Sequence, residues 1–120
     1  MKIIKQHDSY DCGAACLAMI AKFYGMNLRI SQCRKLTKTD RNGVNLYGMV
    51  DGARKIGLDA ESLYGDIDDL IDSINNKKVE LPFVAHITNE QGMLHFIVIY
   101  KNKNDNLYIA DPGKGKYILS

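Results

Sequence analysis

Apolar positions divide the chain into two textures, with the change near Lys78. Before it they recur at helical spacing. Leu17, Ile20, Ala21 and Tyr24 mark one face of a segment that opens after Asp11, a good N-cap residue, and stops at Gly25. Ala14, Ala15, Cys16, Ala18 and Met19 fill its other faces, so this helix is expected to be buried on most sides and central to the domain. A second, short helix is predicted from Ser31 and carries Cys33 and Leu36, after which "TKTDRNG" reads as a loop. Asn45 is placed to cap a third helix, with Leu46, Met49, Val50, Ala53 and Ile56 preceding Gly57. In "DIDDLIDSINN" the apolar Ile67, Leu70, Ile71 and Ile74 share one face, and acids crowd the first turn, where the helix dipole favours them.

Beyond Lys78, "LPFVAHI", "LHFIVIY", "LYIA" and "KYIL" are short β-branched and aromatic runs, separated by the turns "TNEQG", "KNKND" and "PGKGK". Helices followed by an antiparallel meander predict an α+β fold. The first helix and the sheet are expected to pack on each other, since neither has another large apolar partner.

Composition narrows the function more than the fold. The 120 residues predict a single domain, 1–120, long enough to bury roughly two-thirds of its unfolded surface. A net charge of +2 with scattered basic residues offers no stripe for a nucleic-acid backbone. No apolar run approaches the ~18–20 residues needed to span a bilayer, and "MKIIKQHD" turns polar too soon to be a signal peptide. The chain as given therefore reads as soluble. Three cysteines are an odd count, which argues against a closed disulfide framework, and Cys12, Cys16 and Cys33 lack the paired spacing of a zinc site. Free thiols and no metal or other cofactor are expected. For Cys16 and Cys33 the expectation is a small buried hydrophobe.

Cys12 differs by its place. A thiol at a helix start gains from the unpaired N–H groups there, and a nearby imidazolium lowers its pKa further. Gly13 removes a side chain where a substrate backbone would approach, and Asp11 is expected to turn its carboxylate away into capping. Of the three histidines, His7 lies in the N-terminal lead and His86 inside the "FVAHI" run. His95 opens the "HFIVIY" strand after Gly-Met-Leu, at the edge of the sheet. Asp111 ends "LYIA" at "DPG". Strands 94–100 and 106–111, joined by a turn near Asn102–Asp105, are predicted hairpin partners. That pairing makes His95 and Asp111 neighbours, with the acid orienting the imidazole. Cysteine, histidine and aspartate in this arrangement suit thiol acyl transfer. Gln6, six residues before Cys12, is placed to share a developing oxyanion with the Cys12 backbone N–H, a contribution worth ~3–4 kcal/mol where such donors are removed.

With Gln6, "DCG", "ACL", His95 and "ADPG" in this order, the chain resembles the N-terminal peptidase domain of bacteriocin-exporting ABC transporters, family thirty-nine of the cysteine peptidases. The resemblance covers nearly the whole chain, because "GVNLYGMVDGARKIGL" is similar to the family's central helix. It implies a papain-like fold and cleavage of leader peptides after a double-glycine motif, serving bacteriocin or peptide-pheromone precursors. It also implies Cys12 as nucleophile, His95 as general base and acid, Asp111 as orienting carboxylate and Gln6 as oxyanion donor. In the family the leader binds as an amphipathic helix, for which Leu46, Tyr47, Met49, Val50 and Leu63 are the candidate groove residues. Family members continue into transmembrane helices and a nucleotide-binding domain, where ATP is used. Those domains and the leader peptide are the implied partners, with the peptidase on the cytoplasmic side of the plasma membrane. Two other readings use the same residues: a non-catalytic leader-binding module, and a thiol acyltransferase on the same scaffold.

Overall fold

The computed structural model describes residues 1–8, 10–88 and 92–119. Four helices, α1 (Cys12–Phe23), α2 (Ile30–Thr37), α3 (Leu46–Lys55) and α4 (Ile67–Asn75), precede four strands, β1 (Phe83–Thr88), β2 (Leu94–Lys103), β3 (Asn106–Asp111) and β4 (Gly115–Leu119). The strands form one antiparallel meander in chain order. The part of the "TNEQG" turn at Asn89–Gln91 lies outside the described residues.

The helix signals act as expected at most ends. Asn45 accepts from the Gly48 N–H at 2.8 Å, and Asp66 and Asp69 cap each other's backbone N–H groups at 2.9 and 3.1 Å. Gly25 and Gly57, each at positive φ, close α1 and α3. The β2–β3 turn is tighter than predicted. β2 runs on to Lys103, and only Asn104 and Asp105 remain, with φ of 52° and 65°. These two residue types tolerate the left-handed region, which suits the two-residue turn of a twisted hairpin.

α1 is the central helix. Every residue from Gly13 to Ala21 is buried, and its core cluster joins Leu17, Met19 and Ile20 to Phe96, Val98 and Ala110 of the sheet. The sheet also has a second apolar partner, contrary to the sequence expectation. On its far face Ile97, Ile99, Leu107 and Ile109 form a separate cluster, against which Leu70, Ile71 and Ile74 of α4 pack. The physical reason lies in "FIVI": a strand without alternation is covered on both sides. Among the described residues, no helix is long and apolar enough to cross a membrane.

Candidate active site

The thiol, imidazole and carboxylate come together at one end of the sheet, each held by a different element. Cys12 is the first residue of α1 and is half-buried. His95 is the second residue of β2 and Asp111 the last of β3. His95 Nε2 lies 2.7 Å from Asp111 Oδ1. An ionised carboxylate only accepts, so Nε2 carries a proton, leaving Nδ1 for the hydrogen bond with the Cys12 thiol.

Asp111 reaches His95 because of an irregularity in the hairpin. The ladder pairs Lys103 with Asn106 and Lys101 with Tyr108, then passes over Tyr100 as a bulge and resumes at Ile99–Ile109 and Val98–Ala110. Continued without the extra residue, it would set Asp111 opposite Val98, on the face that packs against α1. With the bulge, Asp111 falls opposite Ile97 and shares a face with His95. The "DPG" turn then locks the acid. Asp111 Oδ1 accepts from the backbone N–H groups of Gly113 at 2.8 Å and Lys114 at 3.2 Å.

Electrostatics single out Cys12 among the thiols. Burial pushes it up, but hydrogen bonds from His95 and from the Phe96 and Gly13 N–H groups outweigh this, and the thiol lies below its ordinary range. For His95 the bond to Cys12 is the strongest influence. With Asp111 it overcomes burial and raises the imidazole to about 9. A lowered thiol beside a raised imidazole favours the thiolate–imidazolium form of the pair. Burial drives Cys16 well above the ordinary thiol value and Cys33 to about 11. Cys16→Ala is therefore expected to keep most activity, losing only a small buried group worth about 1 kcal/mol of stability. Cleavage and melting measurements check this; a folded but dead variant would move the nucleophile to Cys16.

Two expectations around Cys12 are corrected. A Cβ on Gly13 would collide with Val44 and come within 3.1 Å of the Met49 sulfur and 3.3 Å of Phe96. The glycine thus admits the protein's own core to the first turn of α1; the space is not left for a substrate. Asp11 occupies the N-cap position but makes no side-chain cap bond. Its carboxylate instead receives Arg34, Nε to Oδ1 and Nη2 to Oδ2, both at 2.7 Å. The carboxylate is thus engaged by an ion pair in place of capping, with a partner that the sequence did not reveal: a lone arginine on a short helix carries no signal of a contact 23 residues away.

Gln6 lies beside the His95–Asp111 pair. A Cβ built on Gly113 would sit 3.4 Å from both Gln6 Oε1 and Asp111 Oδ1 and 3.8 Å from His95 Cε1. The Gln6 backbone N–H also donates to the Pro112 carbonyl at 3.0 Å, tying this segment to the acid's turn. His86 takes no part in this series; it pairs with Phe96 in the β1–β2 ladder and stacks on that ring, with centroids 4.0 Å apart. Among the described residues, no three histidine, cysteine or acidic side chains converge as metal ligands would.

An apolar groove of about 620 Å³ runs between α1, α3 and β1, lined among others by Leu17, Ile20, Leu46, Met49, Val50 and Leu63. Met49 touches both the groove and the first turn of α1. Four of the five groove residues expected from sequence are in this lining. Tyr47 is not, and is 79% exposed on the outer side of α3.

The family model for the peptidase C39 family matches residues 1–120. The chain belongs to that family. In this family of cysteine peptidases, the chain's relatives include LagD of Lactococcus lactis, a lactococcin-G-processing and transport ATP-binding protein, 43% identical over 116 residues. ComA of Streptococcus pneumoniae, a transport/processing ATP-binding protein, is 35% identical over 122 residues. The alignments cover 96% of this chain and 16% of each of those proteins, so the C39 chain spans about a sixth of the length of the curated relatives it matches. Among solved structures, the peptidase domain of Streptococcus ComA superposes with a TM-score of 0.87 at 32% identity, covering 99% of this chain and 85% of that one. A double glycine motif protease from an AMS/PCAT transporter, solved in complex with the leader peptide, gives 0.83 at 29% identity, covering 98% and 78%. The C39 fold, helices on a four-stranded antiparallel sheet, is the α+β papain-like architecture that the sequence predicted.

Proposed function

We propose that this C39 chain cleaves the leader peptide from bacteriocin or peptide-pheromone precursors after a double-glycine-type motif. The observation that carries the reading is the hydrogen-bonded series Cys12–His95–Asp111 at the start of a buried helix. With the Cys12 proton already held on His95 Nδ1, the thiolate adds to the scissile carbonyl. The Gln6 side-chain amide and the Cys12 backbone N–H meet the developing oxyanion. As the intermediate collapses, the imidazolium gives its proton to the departing amine, leaving a thioester on Cys12. Water, deprotonated by the same ring, then hydrolyses the thioester and restores the thiol. Asp111 holds the ring and its charge throughout, and no metal or other cofactor takes part.

The groove between α1 and α3 takes the leader as an amphipathic helix, with apolar anchors set one turn apart. Val50→Glu is expected to raise KM for a leader substrate by about 10–100-fold with little change in kcat, because it leaves a carboxylate unpaired against apolar side chains. An unchanged KM would place the leader elsewhere.

By the same reading, the chain is the peptidase part of a larger exporter, working beside transmembrane and nucleotide-binding domains on the cytoplasmic face of the plasma membrane. The names of the relatives support this, since both are transport ATP-binding proteins. The test is mass spectrometry of a synthetic double-glycine leader joined to a short cargo, digested with EDTA and reductant present. Cleavage after the second small residue is expected. Tight binding with no cleavage would leave a leader-binding module, and an amine adduct as main product would make the chain an acyltransferase.

A further inference from the structure

The backbone of Gln6 is tied to the turn after Asp111, but its side chain is held from elsewhere. Its amide is linked to α2 through an unbroken series of bonds. Gln6 Nε2 donates to the Asp8 carbonyl at 3.0 Å. That carbonyl also receives the Asp11 N–H at 3.0 Å, and the Asp8 N–H donates to Asp11 Oδ2 at 3.1 Å. Asp11 in turn is gripped at both oxygens by Arg34. The guanidinium of α2 thus fixes the turn that precedes the nucleophile.

Two observations show how much depends on it. Asp11 is 0% exposed, a costly place for a carboxylate unless its charge is matched. Gln6 Oε1 is buried with no hydrogen-bond partner among the described residues, so the plane of the amide is set through Nε2. An amide nitrogen carries two protons. With one committed to the Asp8 carbonyl, the other has a fixed direction.

We propose that Arg34 is a positioning residue for the peptidase reaction, setting the direction of the Gln6 amide through the Asp11 carboxylate and the Asp8 peptide group. This rests on the peptidase reading and on Gln6 as oxyanion donor. The fork matters as well as the charge. Two parallel N–H···O bonds fix both carboxylate oxygens, and therefore the one that holds Asp8, whereas an ammonium fixes one point.

The experiment is a double-mutant cycle of Arg34→Gln and Gln6→Ala, read as kcat and KM on a double-glycine leader substrate, with the Gln6 side-chain amide followed by NMR. Gln6→Ala is expected to lower kcat about 10²-fold. Arg34→Gln should lower it by about 10–10²-fold with KM within about twofold, and the double variant should be little worse than the worse single one. The Gln6 amide protons should exchange faster in Arg34→Gln than in the wild type. Additive losses, or an unchanged Gln6 amide in a folded Arg34→Gln protein, would overturn the proposal. If Arg34→Gln does not fold, Arg34→Lys retains the charge; it should show a partial loss of kcat and a loosened amide, and wild-type values of both would overturn the proposal. The amide measurement needs no substrate. A wild type that cleaves nothing would sink the peptidase reading, while the spectrum would still decide the role of Arg34.

Discussion

Cys12→Ala should abolish leader cleavage while leaving fold and leader affinity intact. The thiol is half-buried at the helix start, so its loss removes one small group, at a cost of about 1 kcal/mol or less in stability. The groove residues keep their positions, and no apolar anchor of the leader depends on the sulfur. What disappears is the only route to a thioester. Where one member of a catalytic set acting as a unit is removed, losses of about 10⁴–10⁶ in kcat are usual. Mass spectrometry of the digest and calorimetry with the leader peptide measure the two sides. Cleavage by Cys12→Ala at even a hundredth of the wild-type rate would show that another group attacks the carbonyl.

The second large effect concerns Asp111→Asn. The wild-type pH profile of kcat/KM should rise as Cys12, below its ordinary thiol value, ionises, and fall as His95 loses its proton at about 9. Asp111 is among the groups that raise His95. Without its charge the imidazole releases its proton at lower pH, so the alkaline limb moves down. The thiolate then loses its cationic partner sooner, so the acidic limb moves up. The active window narrows from both sides, and kcat should fall by about 10²–10⁴-fold as the ring loses its preferred tautomer. Iodoacetamide labelling of Cys12 across pH reports the same window without a substrate. An alkaline limb still at about 9 would reduce Asp111 to a turn residue.

Much of this site can be read from the chain because its parts are local signals. A cysteine behind an N-cap residue and ahead of an all-round apolar stretch marks a buried helix start, and "DPG" marks a strand end. The hairpin follows from two β-rich runs with a short polar turn between them. What could not be read depends on distant packing or on a single-residue count. Nothing in "YKNK" says that Tyr100 is passed over by the ladder, yet that extra residue decides the face on which Asp111 emerges. Gly13 looked like an opening for substrate because Val44 approaches it from a different part of the sequence. Arg34 was invisible for the same reason. The second face of the sheet was legible in principle, since the "FIVI" run lacks the alternation of a half-exposed strand.

That doubly covered strand has a consequence for how the molecule opens. Phe96 and Val98 face α1 while Ile97 and Ile99 face the cluster under α4, and all four are 2% exposed or less. Amides in such a block exchange only through the largest cooperative openings, whereas elements with few buried contacts come and go at little cost. α4, which has no fully buried residue, belongs to the second group. His95 is the residue immediately before the block. His95 is thus anchored to the block expected to unfold last, and partial melting of the periphery would leave its position unchanged.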